Sequence, residues 1–177
     1  MEAIQNSAKS SAEQFSALVA RHRGIVRKVA TTYCRDANDR ADLAQEITAR
    51  LWQSWPHYDQ ERPFSTWMYR VALNVAITHV RGVYRHERHH VALGPDHEQI
   101  PDTPVDHEAN ELLAILRNLI DNLDGLNRAL LLLYLEDRSH REIADILGIG
   151  ESNVGTKIGR LKERLRAQLA QPTEGQE

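Results

Sequence analysis

The sequence predicts an all-α protein: two small helical domains joined by a flexible acidic linker, the second containing a helix-turn-helix. Three observations predict it. Apolar residues recur at helical spacing in every patterned stretch, from Phe15 to Tyr33 at one end and from Val154 to Leu165 at the other. In the middle the periodicity stops, and Gly94, Pro95, Pro101 and Pro104 punctuate a run rich in acids. Near the C-terminus a capping sequence, a glycine turn and a basic amphipathic stretch follow one another. The expected divisions are an N-terminal domain over 12–85, a linker over 86–107 and a C-terminal domain over 108–170.

The 177 residues suffice for one large or two small domains. A net charge of −3 conceals strong segregation. From residue 62 to 85 stand Arg62, Arg70, Arg81 and Arg85 with no Asp or Glu. From His86 to Glu111, seven acids face the single Arg88. The lone Cys34 rules out an intramolecular disulfide framework and suits a reducing cytoplasm. It ends an apolar stripe and reads as a small buried hydrophobe. No apolar run approaches ~18 residues and the N-terminus lacks a hydrophobic signal core, so the expectation is a cytoplasmic protein without membrane insertion.

Residues 1–11 are polar and expected to fray. From Ala12 the apolar period runs to Cys34 with Arg21, Arg23, Arg27 and Lys28 outside, an amphipathic helix. Asp36 or Asn38 is placed to cap the next one. In that helix, at ~100° per residue, Leu43, Ala44, Ile47, Leu51 and Trp55 line one side and Asp42, Gln45, Glu46 and Gln53 the other. Trp52 and Trp55 read as core aromatics. A loop from Pro56 to Arg62 carries Tyr58, and Pro63 leads into a further helix that Ser65 or Thr66 can cap.

On that further helix Met68, Val71, Ala72, Val75 and Ala76 share the core arc, while Trp67, Arg70, Asn74, Thr78 and Arg81 share the opposite one. Phosphate is the natural counter-charge to such a surface. Arginines interleaved with an aromatic suit a single nucleic-acid strand, the cations following the backbone and rings receiving bases at ~1–3 kcal/mol each. Asn74 can read an exposed base edge.

In the C-terminal domain, Asp106 is placed as an N-cap, and Leu112 to Leu123 form an apolar helix stopped at Asp124-Gly125. The next helix, Leu126 to Leu135, is apolar enough to be buried on most sides. Ser139 and Glu142 form a capping box that opens a short helix, and Gly148-Ile149-Gly150 breaks it. A longer helix then buries Val154, Ile158, Leu161 and Leu165. Opposite them stand Ser152, Thr156 and Arg160, with Asn153 and Lys157 at one margin and Lys162 at the other. Such a basic helix after a short helix and a glycine turn suits the DNA major groove. Gly155 and Gly159 sit on or near its exposed face and cost about 1 kcal/mol each in helix propensity.

These residues resemble a known family, the bacterial RNA polymerase sigma factors of the extracytoplasmic-function (ECF) type within the sigma-70 family. The resemblance spans about Phe15 to Arg166. It is carried by DLAQE (Asp42 to Glu46), PFSTWMYRVALN (Pro63 to Asn74) and SHREIADILGIGESNVGTKIGRLKERL (Ser139 to Leu165) in that order. It implies a factor that binds core RNA polymerase and directs promoter-specific transcription initiation. Asp42, Gln45 and Glu46 match the positions that dock on the coiled coil of the polymerase's largest subunit. The loop and helix carrying Tyr58, Arg62, Phe64, Trp67, Arg70, Asn74, Thr78 and Arg81 would melt and capture the promoter minus-ten element. The helix-turn-helix would read the minus-thirty-five element through Ser152, Asn153, Thr156, Lys157, Arg160 and Lys162. The resemblance also implies an anti-sigma factor as partner, and an acidic linker that threads toward the polymerase active site. Two departures stand out: Leu123-Asp124 where many relatives have Leu-Pro, and Gly155 and Gly159 where larger side chains are common.

Two other functions compete. His86-Glu87-Arg88-His89-His90 matches the H-E-x-x-H zinc signature, which needs both histidines on one helical face. It lacks an accompanying apolar face and Gly94-Pro95 follows closely, so solvated linker histidines are expected, with no catalytic residue, cofactor or metal site. A stand-alone helix-turn-helix regulator would bind DNA without polymerase, but the N-terminal domain offers neither a heptad seam nor a ligand-pocket pattern.

Overall fold

The computed structural model describes residues 2–87 and 115–169. The chain forms two compact units, Met1–His79 and Val80–Glu177. The expected linker and the Asp106 cap fall outside the described residues, apart from residues 86 and 87 at the end of the third helix.

The first unit is built from α1 (Glu2–Tyr33), α2 (Ala37–Ser54), a 3₁₀ turn (Trp55–His57) and α3 (Phe64–Glu87) as far as His79, past which α3 continues. Helix α1 begins well before Ala12, the start that the apolar period predicts. No Gly or Pro interrupts residues 2–11, and adding a residue to a formed helix is cheap compared with nucleating one. Between α1 and α2, Asp36 takes an extended conformation and its carboxylate accepts from the Asn38 and Asp39 N–H groups at 2.7 and 3.0 Å. Those two donors hold the Asp36 carboxyl below the usual aspartate range. The cap ends the connection within three residues and turns α2 back onto α1, against which it packs.

The core of this unit comes from three stripes. Phe15, Ile25, Val26, Val29 and Tyr33 of α1 meet Leu43, Ile47 and Leu51 of α2 and Met68, Ala72, Val75 and Ala76 of α3. Cys34 is buried, as a small apolar side chain would be. Tyr69 and Leu73 are buried as well and widen the expected arc of α3. The start of α3 differs from expectation. The Pro63 carbonyl accepts from the Thr66 and Trp67 N–H groups at 3.1 and 3.2 Å, so the helix begins at Phe64 and Ser65 and Thr66 lie inside its first turn.

The second unit comprises α4 (described over 115–121), α5 (Gly125–Leu135), α6 (His140–Leu147) and α7 (Glu151–Leu169). Asp124 serves as more than a stop signal, because its carboxylate accepts from the Asn127 N–H at 2.9 Å and caps α5. An acceptor side chain thus starts the helix where a proline would otherwise pre-set it. Arg128 on α5 is buried, donating Nε to the Leu123 carbonyl at 3.0 Å and Nη2 to the Asp121 carbonyl at 2.6 Å. It donates to carbonyls at and just after the end of α4, where a helix terminus needs donors from outside.

Helix α5 is less enclosed than its composition suggested. Leu130 and Leu133 are fully buried, but Tyr134 is 37% and Leu135 66% exposed. They border an open apolar groove with Ile158, Leu161 and Leu165 of α7. Helix α6 opens on Ser139 and closes on Gly148, whose φ of 67° is the left-handed conformation that glycine adopts without strain. Ile143 and Ile146 of α6 and Val154, Ile158 and Leu161 of α7 are buried, and the two helices pack on each other and on α5. This is a helix-turn-helix with α7 as its second helix.

Candidate nucleic-acid interface

Three solvent faces carry the residues singled out by the sequence. On α2, Asp42, Gln45 and Glu46 are all exposed, because Leu43, Ile47 and Leu51 behind them are wholly buried and fix the helix rotation. Glu46 Oε2 lies 3.6 Å from His79 Nδ1 on α3, a contact the sequence did not signal. Trp52 is a correction to the core assignment: it is 50% exposed, its ring centroid 5.0 Å from that of Phe15 in an edge-on arrangement. The buried positions 43, 47, 51 and 55 advance by four, so residue 52 lies a full ~100° off their line. Trp55 is buried as expected, and its indole N–H donates to the Ser11 hydroxyl at 2.9 Å.

The second face runs from the loop after α2 along α3. The Tyr58 ring stacks on Trp55 at 5.4 Å and 19°, and its hydroxyl donates to the Arg62 carbonyl at 2.7 Å. Burial, then the neighbouring Asp59, raises the Tyr58 pKa, so the phenol stays a donor. Arg62 is exposed, 3.6 Å from Asp59. Phe64 requires correction as a DNA contact. It is 7% exposed, enclosed by Trp55, Tyr58, Trp67 and His22, and serves the core. Trp67 is half-buried rather than on an open polar arc, 4.9 Å from Tyr58 and 5.3 Å from Phe64. Aromatic attraction at the start of α3 overrides its helical phase. Arg70, Asn74, Thr78 and Arg81 are exposed along the same side. The Thr78 hydroxyl donates to the Asn74 backbone carbonyl at 2.8 Å, a contact that does not use the Asn74 side chain.

The third face is the outer side of α7. Ser152, Asn153, Thr156 and Arg160 are exposed and Lys157 is half-buried. Lys162 stands apart from them, its Nζ 4.2 Å from the centroid of the Tyr134 ring, turned toward α5. A cation over a ring face is held there by the ring quadrupole. The two glycines differ from each other. A methyl group added at Gly155 would sit 3.6 Å from the His140 ring, so this position faces α6, whereas Gly159 opens onto free space.

Among the described residues no cluster of three or more His, Cys, Asp or Glu is arranged to hold a metal ion. The H-E-x-x-H motif ends outside them. No helix among them is long and apolar enough to cross a membrane.

The sequence and the fold match known proteins over nearly their whole length. A profile of sigma-70 region 2 matches residues 18–86, and one of sigma-70 region 4 matches residues 113–165, together more than half of the chain. The chain belongs to the sigma-70 family, as a factor of the ECF type. This sigma factor is 28% identical to the ECF RNA polymerase sigma-E factor of Haemophilus influenzae, with 96% of this chain and 93% of the relative covered. It is 25% identical to the ECF sigma factor SigW of Bacillus subtilis, with 94% of each covered. Among solved structures it is similar to CnrH in complex with the cytosolic domain of CnrY, at TM-score 0.64 and 25% identity over 92% of this chain and 93% of that one. The fold is also that of RpoE from Bartonella quintana, solved with the anti-sigma factor NepR, at TM-score 0.70 and 16% identity over 89% and 97%. As a sigma factor the protein directs promoter-specific transcription initiation by RNA polymerase.

Proposed function

We propose that this sigma factor is a non-enzymatic specificity subunit working in the cytoplasm, with one face for polymerase and two for promoter DNA. Asp42, Gln45 and Glu46 dock on core RNA polymerase. Tyr58, Arg62, Trp67, Arg70, Asn74, Thr78 and Arg81 capture the melted minus-ten element. Ser152, Asn153, Thr156, Lys157 and Arg160 read the minus-thirty-five element in the duplex. Phe64 and Lys162 drop out of these sets because one is buried and the other is turned onto Tyr134. The division into 12–85, 86–107 and 108–170 assigns one promoter element to each helical domain and leaves the acidic stretch to span between them.

The observation that carries this reading is the segregation of charge by helix face. The polar stripe of α2 is backed by fully buried Leu43, Ile47 and Leu51, and the exposed cations of α3 by fully buried Met68, Ala72 and Ala76. A carboxylate-bearing ridge repels phosphate and suits a protein, while Arg70 and Arg81 suit a nucleic-acid backbone. An anti-sigma factor is a further proposed partner, supported by the structure of CnrH with the cytosolic domain of CnrY. The test is Asp42→Ala/Gln45→Ala/Glu46→Ala. It should abolish promoter-dependent transcription with core polymerase while leaving the circular-dichroism helicity intact, and unchanged polymerase binding would refute the docking assignment.

A further inference from the structure

We propose that His79 is a positioning residue for Glu46, so that the polymerase-docking face of α2 is set from α3, the helix that captures the minus-ten strand. The inference rests on the docking role of Glu46 proposed above. Glu46 is a long side chain on an open helix face and is 54% exposed, so burial does not fix it in one rotamer. His79 comes from the neighbouring helix and places Nδ1 3.6 Å from Oε2, while its own ring is only 26% exposed and therefore confined. A confined ring against a mobile carboxylate acts on the carboxylate. It holds one oxygen on the α3 side, while the half-exposed side chain stays open to a partner, beside Asp42 one turn earlier on α2. A partner then meets a carboxylate already oriented, and less rotamer freedom is lost on docking.

His79 follows Thr78 directly and precedes Arg81 by two residues on α3, both of them exposed on the strand-capturing side. Polymerase contact at Glu46 and strand contact at Thr78 and Arg81 thus act on the same turn of one helix. The geometry makes His79 the side chain through which the two events touch.

The test measures affinity of the full chain for core polymerase, with helicity checked for each variant. His79→Ala should weaken binding about three- to fivefold, the scale of one partly exposed charged contact. His79→Asn, whose side-chain N–H can take the place of Nδ1, should recover most of it. In a Glu46→Gln background, His79→Ala should add little. A loss from His79→Ala that is as large with Glu46→Gln as without it, or no recovery by His79→Asn, would overturn the inference and mark His79 as packing alone. The outcome in which Glu46→Gln leaves affinity unchanged would instead overturn the docking role of Glu46, and with it this inference.

Discussion

Ser139 and Glu142 close a reciprocal pair of hydrogen bonds at the start of α6. The Ser139 hydroxyl accepts from the Glu142 N–H at 3.2 Å, and the Glu142 carboxylate accepts from the Ser139 N–H at 2.9 Å. Arg138 joins them, with Nη1 3.0 Å from the same carboxylate. Ser139→Ala should cost about 1 kcal/mol of stability, measured by denaturant unfolding at neutral pH.

The same carboxylate gives that stability a pH dependence of known sign. The Ser139 N–H first, then the Ser139 hydroxyl and Arg138, hold the Glu142 carboxyl below the usual glutamate range. A depressed folded pKa contributes stability that is present above the unfolded value and is lost as pH falls through the folded one. The gap in unfolding midpoint between the natural chain and Glu142→Gln should therefore be open at pH 7 and close as the medium is acidified below the ordinary glutamate range. A gap that stays constant across that window would contradict the assignment.

On α7, exposed and inward-turned cations should separate in a binding assay. Arg160→Ala should weaken affinity for the upstream promoter element by ~1–3 kcal/mol, as expected of a lost base-edge contact. Lys162→Ala should cost little, because Lys162 is held over Tyr134. Fluorescence anisotropy on duplex carrying the minus-thirty-five element distinguishes the two, and equal losses would show that Lys162 leaves the Tyr134 ring on binding.

Asn74 is exposed on α3, with no part in the core behind it. Asn74→Ala should slow promoter opening by polymerase while sparing closed-complex formation, so that its defect on a duplex promoter largely disappears on a pre-melted one. Equal loss on both templates would remove Asn74 from strand capture. Trp67→Ala should share the opening defect but add a loss of stability, because its ring packs on Tyr58 and Phe64.

Much of this architecture was legible because it rests on local chemistry. Asp36 and Ser139 each cap the helix they precede, as their positions in the sequence imply. The four-residue advance of Leu43, Ile47 and Leu51 fixes which side of α2 faces water. What was not legible depends on contacts between elements. Trp52 is apolar but falls between the stripes. Phe64 and Trp67 are drawn together by Trp55 and Tyr58, which come from another part of the chain. Arg128 stands between Asn127 and Ala129, just before a run of leucines, with no sign that it donates to the carbonyls of Asp121 and Leu123. Lys162 and His79 are ordinary surface residues by pattern, and only the neighbouring helix reveals what they face.

The central claim is that this chain gives promoter specificity to a polymerase it docks through α2. Run-off transcription with core bacterial RNA polymerase, with start sites mapped across a genome, tests it most directly. Transcripts beginning at a defined set of promoters only when the purified protein is added are the predicted result. Sequence-specific duplex binding by the protein alone, with no new start sites in the presence of core polymerase, would contradict it.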